Sequence, residues 1–270
     1  MSADTLLEAN AVSYAYPRRA GLLRRAMEPV LAVDDVSCTL RAGETLGLVG
    51  ESGCGKTTFA KLLVGVLQPT RGEIMVQGVS YAHLRGEAWR AIRRAVQFVF
   101  QDPMNSLNPR LAVEETLAEP LIIHRLADGP AERTKRVEEL LSAVQLPAAY
   151  RRRLPRELSG GERQRVGIAR ALATEPEALI CDEPIASLDV SVGAQILELL
   201  RRVNRDHGTA LLFISHDLRA VASLCERIAV MRQGQLLETA PTEQLLNRPG
   251  HPYTDLLIRS AELDLDATTS

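Results

Sequence analysis

A glycine-rich stretch at residues 50–58 constrains this chain more than any other feature. It lies between an apolar run at 46–49 and a second apolar run at 59–63. In the order strand, loop, helix, the pattern G-x-x-x-x-G-K-[ST] indicates a phosphate-binding loop. Glycines let several backbone N–H groups turn toward one anion, and the helix that follows adds its positive N-terminal end. The pattern therefore predicts a nucleotide site in which Lys56 reaches the β- and γ-phosphates and the Thr57 hydroxyl ligates Mg²⁺. The predicted nucleotide-binding residues of this loop are Gly50, Glu51, Ser52, Gly53, Cys54, Gly55, Lys56, Thr57 and Thr58.

Composition excludes several other classes of protein. The chain has 270 residues, of which 46% are hydrophobic and 24% charged, as expected for a globular protein with a sizeable core. Its formal net charge of −2 gives no reason to expect a nucleic-acid partner. The four cysteines show no metal-binding or disulfide spacing, which favours reduced thiols in the cytosol. The sequence shows neither a secretory signal nor an apolar run of 18 residues, so any membrane role is expected to come through a partner.

Hydrophobic periodicity predicts an α/β chain with one inserted helical region. Partial alternation predicts antiparallel strands at 6–14 and 30–40 and a further strand at 73–79. Helical spacing at 87–95 and 131–145 predicts a helical subdomain. After it, the pattern predicts two short apolar strands, at 178–181 and 210–214, separated by a helix at 192–206. The buried stripe of that helix is formed by Ile196, Leu199, Leu200 and Val203. The predicted division is a single nucleotide-binding domain with a core at about 5–86 and 159–245, a helical subdomain at about 87–158 and a tail at about 246–270.

The strand at 178–181 is followed directly by two carboxylates, Asp182 and Glu183. A strand that ends in an acidic turn is common and has no function by itself. In a chain that also carries a phosphate loop, however, one carboxylate is needed to hold Mg²⁺, and Asp182 is placed for that task. Glu183 is then expected to polarise the attacking water, a form of general-base catalysis worth roughly 10²–10⁴-fold.

Residues 158–165 carry the most specific pattern in the chain, Leu-Ser-Gly-Gly-Glu-Arg-Gln-Arg. Ser159 is a good N-cap for the helix that follows, but capping needs only the serine and not the two glycines, which allow close backbone approach to another group. These eight consecutive residues resemble the signature of the ATP-binding-cassette (ABC) ATPases. The resemblance extends over about residues 5–255. It implies a P-loop NTPase (RecA-like) core with an antiparallel β subdomain and an inserted α-helical subdomain.

The resemblance also assigns roles to residues that the pattern alone leaves open. It implies that Tyr16, rather than Tyr14, stacks on adenine, and that Gln101 senses Mg²⁺ and links the core to the helical subdomain. It further implies that Asp189 belongs to a loop at a dimer interface and that His216 contacts the γ-phosphate. The chain has Ala186-Ser187 where the family usually has Ser-Ala, which puts a role for Ser187 in doubt, and Ile185 stands where threonine or valine is common.

The family organisation implies that this chain works only with partners. Ser159, Gly160, Gly161 and Glu162 are expected to cap ATP held by the loop of a second ABC ATPase subunit, with a related but different chain favoured over a second copy. The resemblance also implies ATP and Mg²⁺ as ligands, two transmembrane permease subunits and, indirectly, an extracytoplasmic substrate-binding protein. The expected location is peripheral, on the cytoplasmic face of the inner membrane.

Two segments resemble the peptide and nickel importer branch of the family, namely 100–109 around Gln101 and 247–257 in the tail. The resemblance implies that the tail, with His251, is a structural motif rather than a metal ligand, and the short C-terminus slightly favours a dipeptide or nickel system. The alternative is a soluble cassette ATPase in a non-transport complex, either an accessory to carbon–phosphorus bond cleavage or a nucleic-acid-related protein. Cassettes that act on nucleic acid usually carry two cassettes in one chain or a long coiled coil, and this chain shows neither. The ATPases associated with carbon–phosphorus bond cleavage have a similar tail, so that alternative stays open.

Overall fold

The computed structural model describes residues 5–17, 29–101 and 107–268, which fold as two compact units. The first unit combines Met1–Leu84 with Leu212–Ser270, and the second is Arg85–Leu211. Residues 102–106, which belong to the predicted Gln101 segment, lie outside the described residues. Among the helices that are described, none is both long enough and apolar enough to cross a membrane.

The first unit holds two groups of strands. One is an antiparallel sheet in the order β2-β1-β4-β5, and in the other the order is β10-β9-β3-β8. The strands of this unit, numbered along the chain, are β1 (Thr5–Tyr16), β2 (Val30–Arg41), β3 (Thr45–Val49), β4 (Arg71–Val76), β5 (Val79–Ser80), β8 (Ala210–Ile214, from Leu212 onward), β9 (Arg227–Arg232) and β10 (Gln235–Pro241). Its helices are α1 (Lys56–Leu63), α7 (Leu218–Leu224), α8 (Thr242–Asn247) and α9 (Pro252–Thr268), with a 3₁₀ turn at Tyr81–His83.

The apolar run at 46–49 forms the buried centre of this unit. Strand β3 is buried along its whole length and pairs in parallel with β9, with Leu46 opposite Arg227 and Val49 opposite Val230. A strand covered on both faces needs a continuous apolar run rather than alternation, which is the pattern that both strands show. The carboxyl end of β3 therefore leads the chain from a rigid core directly into the phosphate loop.

The strand predicted at 73–79 is confirmed over 73–76 as part of β4, but its predicted end is wrong, because the chain turns back at residues 77 and 78. Gln77 and Gly78 both have positive φ, at 51° and 75°, and join β4 to β5 as an antiparallel hairpin. Two consecutive residues with positive φ form the tight turn whose twist matches that of paired strands. The antiparallel pairing predicted for the strands at 6–14 and 30–40 is confirmed in β1 and β2.

The second unit packs helices around a short parallel strand pair. Strand β6 pairs with β7, with Val96 opposite Ala178 and Val99 opposite Cys181. Leu117, Leu121 and Leu141 are fully buried between the helices. The elements are β6 (Val96–Val99), β7 (Ala178–Asp182), α2 (Gly86–Ala95), α3 (Val113–Ile123), α4 (Pro130–Ala143), α5 (Gly160–Leu172) and α6 (Val190–His207), with 3₁₀ turns at Ala148–Arg152 and Pro155–Glu157.

The helices predicted at 87–95, 131–145 and 192–206 begin and end within two residues of α2, α4 and α6. The four residues predicted as the stripe of α6 are all buried, at 0–4% exposure. The division into core, helical subdomain and tail stays a prediction, since the two compact units describe packing rather than those boundaries.

Candidate functional site

The phosphate loop is shaped by glycines that leave no space for a side chain. Gly55 has φ +112°, and a Cβ there would lie 2.2 Å from the carbonyl oxygen of Ala32. A Cβ at Gly50 would lie 2.1 Å from the carbonyl oxygen of Met231. Both contacts are with backbone atoms, which cannot move aside as a flexible side chain can. The loop therefore keeps its path because neighbouring strands enclose it on two sides.

Lys56 lies at the centre of this loop and is 5% exposed. Its Nζ donates hydrogen bonds to the carbonyl oxygens of Gly50, at 2.7 Å, and Glu51, at 3.0 Å. A buried ammonium group held inside a glycine loop at the start of a helix is suited to receive an anionic ligand. Helix α1 begins at Lys56 with Gly55 as N-cap and no side-chain cap. This arrangement matches the phosphate cradle that the sequence predicts.

The turn between β9 and β10 also supports the loop. The N–H of Gly234 donates to the carbonyl oxygen of Cys54 at 2.8 Å, and the carbonyl oxygen of Gly234 accepts the N–H of Asp34 at 2.9 Å. The Cys54 side chain is buried. Burial raises the pKa of its thiol, an effect that the nearby Lys56 charge only partly offsets. Cys54 is therefore a packed thiol rather than a thiolate nucleophile.

Tyr16 lies beside the loop, as its predicted role requires. Its hydroxyl oxygen is 3.3 Å from Thr58 Oγ1, and its ring, which is 38% exposed, meets the Tyr14 ring edge-on at 5.0 Å. His216 is exposed and follows Ser215, whose N–H donates to the carbonyl oxygen of Leu48 at 3.2 Å. That bond anchors the segment carrying His216 next to the strand that enters the loop.

In the second unit, the structure brings Gln101 and Glu183 together. Gln101 lies two residues after β6. Asp182 is the last residue of the parallel neighbour β7, and Glu183 comes directly after it. Gln101 Nε2 donates to Glu183 Oε2 at 3.4 Å. Asp182 is 2% exposed. Glu183 has φ 45°, in the left-handed region that is uncommon for a non-glycine residue and costs about 1–3 kcal/mol. Seven other described non-glycine residues share a positive φ, among them Gln77 of the β4–β5 hairpin. No sequence pattern indicated this strain.

The signature at the start of α5 forms a capping box. Ser159 Oγ accepts the N–H of Glu162 at 3.3 Å, and Glu162 Oε2 accepts the N–H of Ser159 at 2.6 Å. The Tyr150 hydroxyl donates to Glu162 Oε1 at 2.8 Å. The Ser159 N–H has the largest effect and lowers the pKa of the Glu162 carboxyl. Burial opposes it, and the Tyr150 hydroxyl lowers the pKa further by a smaller amount. The carboxylate is thus held ionised at the helix N-terminus, where it is favoured electrostatically.

One of the signature glycines, Gly161, is required by packing within this chain. A Cβ at Gly161 would lie 2.3 Å from Val192 Cγ1 of α6, so glycine is what lets α5 and α6 approach each other. A Cβ at Gly160 would meet only Leu188, at an ordinary 3.4 Å. Gly161 therefore does allow a close backbone approach, and the group it approaches is Val192 of the same chain.

Asp189 begins α6 as its N-cap. Its Oδ1 accepts the N–H of Val192 at 3.0 Å and the Ser191 hydroxyl at 2.8 Å. The Val192 N–H, followed by the Ser191 hydroxyl, lowers the pKa of this carboxyl. The predicted interface residue is therefore also a helix cap. Ser187, two residues earlier, is exposed.

With the geometry known, comparison with known proteins identifies the family. The profile described as ABC transporter matches residues 33–186, which is more than half of the chain. The chain belongs to the ABC transporter family. As a member, it is an ABC-type ATPase.

Relatives in this family are named for peptide transport. The chain is 43% identical to the oligopeptide transport ATP-binding protein AppF of Bacillus subtilis over 258 residues, covering 95% of this chain and 78% of that protein. It is 47% identical to the oligopeptide transport ATP-binding protein OppF of the same organism over 236 residues, covering 87% of this chain and 77% of that protein.

A solved structure confirms the predicted fold. The ATP-binding cassette MJ0796, in a dimeric post-hydrolysis state bound to ADP and Pi, superposes with a TM-score of 0.78 at 30% identity. The match covers 88% of this chain and 99% of that one. The predicted α/β cassette, with its antiparallel sheet and parallel strand pairs, is therefore the fold of this ABC ATPase.

The predicted site residues of the ABC ATPase divide between the two units. The phosphate loop, Tyr16 and His216 belong to the first, whereas Gln101, Asp182, Glu183, the signature and Asp189 belong to the second. Sequence reasoning missed Tyr150, because a tyrosine 12 residues before its partner Glu162 shows no local pattern. It also missed the support that the turn after β9 gives the loop. Tyr150 and the turn after β9 were both missed because their contacts join parts of the chain that are distant in sequence or carry no motif.

Proposed function

We propose that this chain is the ATP-hydrolysing subunit of an importer for small peptides, bound to the cytoplasmic face of the inner membrane. The observation that carries the proposal is the buried Lys56 within an enclosed glycine loop, in a chain that is 43% and 47% identical to oligopeptide transport ATP-binding proteins. The names of these relatives favour peptides over nickel. In this proposal the substrate passes through separate membrane subunits and never contacts this chain.

ATP is bound by the phosphate loop, with Tyr16 against the adenine. The loop donates backbone N–H groups and the Lys56 ammonium to the phosphates, and the helix dipole of α1 adds to the attraction. Thr57, Gln101 and Asp182 supply a hydroxyl, an amide and a carboxylate oxygen, which are the hard ligands that Mg²⁺ prefers. Among the described residues, no group of three or more histidine, cysteine or acidic side chains could hold a metal alone. Thr57, Gln101 and Asp182 therefore fit Mg²⁺, a cation that keeps water and phosphate oxygens among its ligands. Bound there, it would neutralise charge on the phosphates.

Glu183 acts as the general base. Its carboxylate accepts a hydrogen bond from Gln101 at 3.4 Å, which supports an orientation suited to positioning an attacking water. His216 contacts the γ-phosphate and so reports whether the phosphate is still attached to the nucleotide. Ser159, Gly160, Gly161 and Glu162 contact ATP held by a second, related ATPase subunit. The dimeric state of the MJ0796 structure supports this arrangement.

A groove in the second unit offers a docking site for a permease segment. It has a volume of about 550 Å³ and is lined by Trp89, Arg90, Arg93, His124 and Arg170, among others. Burial, with the charges of Arg94, Arg90 and Arg93, lowers the pKa of His124 and keeps this imidazole neutral at pH 7. The arginines make the groove basic, so an acidic helix of a permease would fit it by charge. A groove of this kind supports a permease subunit as a direct partner of this chain.

Replacement of Glu183 by glutamine tests the proposed function. Glutamine keeps the shape and the contact with Gln101 but cannot accept a proton, so ATP binding should persist while hydrolysis falls by roughly 10² or more. Both are measured on the purified chain and on its membrane complex. Glu198→Gln, on the exposed surface of α6, is the matched control and should leave turnover unchanged. Unchanged turnover in Glu183→Gln would remove Glu183 from its role.

Co-purification tests the transport setting. Recovery of the tagged chain with two multi-helix membrane proteins and a second ATPase is the expected result. Recovery with a soluble lyase complex or with nucleic acid would contradict the importer and favour the soluble alternative.

A further inference from the structure

Helices α5 and α6 contact each other along one stripe that starts near their first residues. A Cβ at Gly161 would lie 2.3 Å from Val192 Cγ1, as noted above. About one turn further along both helices, the Arg165 guanidinium donates to Gln195 Oε1 at 2.9 Å. Positions three or four residues apart lie on the same face of a helix, so the two contacts belong to one stripe. Because they advance in the same direction along both helices, α5 and α6 begin at the same end of the pair.

The same guanidinium caps the end of α4. Its other arm donates to the carbonyl oxygen of Val144 at 2.8 Å and to Gln145 Oε1 at 3.1 Å. Val144 is the C-cap of α4, and the last carbonyl groups of a helix have no partner within it. Gln145, with φ 60°, turns the chain away from the helix. Arg165 of α5 is therefore bonded to α4 by one arm and to α6 by the other.

The charge of Arg165 is buried among neutral acceptors. Arg165 is 8% exposed, and the acceptors of its bonds are one carbonyl oxygen and two amide oxygens. Burial lowers the pKa of Arg165 most, and the charge of Arg202 lowers it further. A buried charge held by neutral groups is unfavourable, and apolar residues of similar volume often replace such charges without loss of stability. What an apolar residue cannot supply is a planar fork whose donors point in two fixed directions.

The bond between Arg165 and Gln195 lies at the same depth below the two helix caps. Arg165 comes six residues after Ser159, the N-cap of α5, and Gln195 comes six residues after Asp189, the N-cap of α6. At about 1.5 Å per residue, the bond is about 9 Å from each cap. A shift of one helix along the other would break it. The bond therefore holds the two caps level with each other.

We propose that Arg165 is a positioning residue for the contact with the partner's ATP, because it holds Ser159 level with Asp189 so that both meet the second subunit together. This inference rests on the proposed function, in which the signature lies against ATP held by another chain. Arg165 acts through the two helices, since its fork is bonded to α4 and α6. Without the fork, the start of α5 could slide, and a displacement of about 1 Å can cost roughly 10²-fold in rate.

Arg165→Lys tests the inference on the assembled transporter. Lysine keeps the positive charge, but one ammonium group cannot bond α4 and α6 together as the fork does. Turnover of the assembled transporter at saturating ATP should fall roughly ten- to hundredfold. The ATP affinity of the isolated chain should stay normal, because its own phosphate loop belongs to the other compact unit. Normal turnover of Arg165→Lys would overturn the inference.

A second substitution tests whether the bond between α5 and α6 is what turnover needs. Gln195→Glu keeps the length of the side chain and gives α6 a carboxylate, which attracts a lysine ammonium. Added to Arg165→Lys, it should restore the link between the helices and raise turnover about threefold or more toward the wild-type rate. A double variant as slow as Arg165→Lys alone would count against the inference and overturn it.

Val137→Ala is the matched control for a loss of stability. Val137 is a fully buried residue of α4, so its truncation should lower the melting temperature by several degrees without changing the bond between α5 and α6. Turnover of the assembled transporter should stay normal in this control. If Arg165→Lys and Val137→Ala lost turnover in the same proportion to melting temperature, Arg165 would have a structural role alone. An assembled wild-type complex that hydrolyses no ATP would instead contradict the proposed function.

Discussion

At the residue scale, the glycines of the phosphate loop differ in whether neighbouring backbone atoms leave space for a side chain. Gly53 and Gly55 both have positive φ, at +80° and +112°. They differ in their surroundings, because a Cβ at Gly53 would have no described atom within 4 Å, whereas one at Gly55 would meet the Ala32 carbonyl oxygen. The same motif thus contains one glycine needed for conformation alone and one needed for both conformation and space.

We expect Gly55→Ala to be far more damaging than Gly53→Ala. The strain of an alanine at positive φ costs about 1–2 kcal/mol in either variant. Gly55→Ala adds a backbone clash, and large losses of stability follow from such overpacking, roughly 3 kcal/mol or more in total. Chemical denaturation and ATP titration of both variants provide the measurement. Equal losses in the two variants would show that the clash with Ala32 is relieved by a small shift.

The sequence was most informative for residues within a contiguous motif. Lys56, Thr57 and Ser159 could be assigned because the chemistry and the local backbone act over a few neighbouring positions. Tyr150 could not, because it bonds Glu162 from 12 residues away and a tyrosine at that distance shows no motif in the sequence. The positive φ of Glu183 was equally hidden, since a glutamate, unlike a glycine or an asparagine, gives no signal for a left-handed backbone.

At the element scale, the start of α5 combines a helix cap with a candidate contact for nucleotide. Sequence periodicity predicted this helix, and the cap explains why it begins at Gly160. It could not predict that Gly161 serves the approach of α6, because the contact with Val192 depends on how two helices cross. The hairpin at Gln77 and Gly78 was missed for a related reason: alternation continues through a two-residue turn.

The capping box gives α5 a stability that depends on pH. The pKa of Glu162 is lowered from its usual value of 4.5, mainly by the Ser159 N–H. A carboxyl whose pKa is lower in the folded state stabilises the fold above about pH 4.5, and this contribution is lost as the pH falls through the folded value. Glu162→Gln keeps an acceptor for the Ser159 N–H but removes the charge at the helix N-terminus. It should therefore cost about 0.3–1 kcal/mol of unfolding free energy at pH 7 and much less near pH 3.

Urea denaturation of both proteins at several pH values measures this difference. Glu198→Gln, on the surface of α6, is the control. The difference in unfolding free energy between it and the wild type should not become smaller as the pH falls. A gap between wild type and Glu162→Gln that stays constant from pH 7 to pH 3 would show that the charge of Glu162 does not support the helix.

At the scale of the whole molecule, the chain carries one phosphate loop and one signature. The signature hydroxyl of Ser159 is exposed at the N-terminus of α5, where N–H groups and the helix dipole favour an anion. In the proposed function this end of the helix meets ATP held by a second subunit. Each chain is then one half of two nucleotide sites, and closure around ATP is what moves the permeases.

Ser159→Asp distinguishes a role of Ser159 in the assembled nucleotide site from its role in the folding of the chain. Aspartate caps a helix as well as serine does, so the unfolding free energy should change little. Its negative charge would face the γ-phosphate of the partner's ATP, and that repulsion should reduce turnover of the assembled transporter by roughly 10² or more. ATP affinity of the isolated chain should remain normal, because the chain's own loop is untouched. ATP turnover is measured on the assembled transporter, and ATP titration on the isolated chain. Turnover of the isolated wild-type chain should rise with protein concentration. If the isolated Ser159→Asp variant hydrolysed ATP at the full rate at any dilution, one chain would hold a complete site.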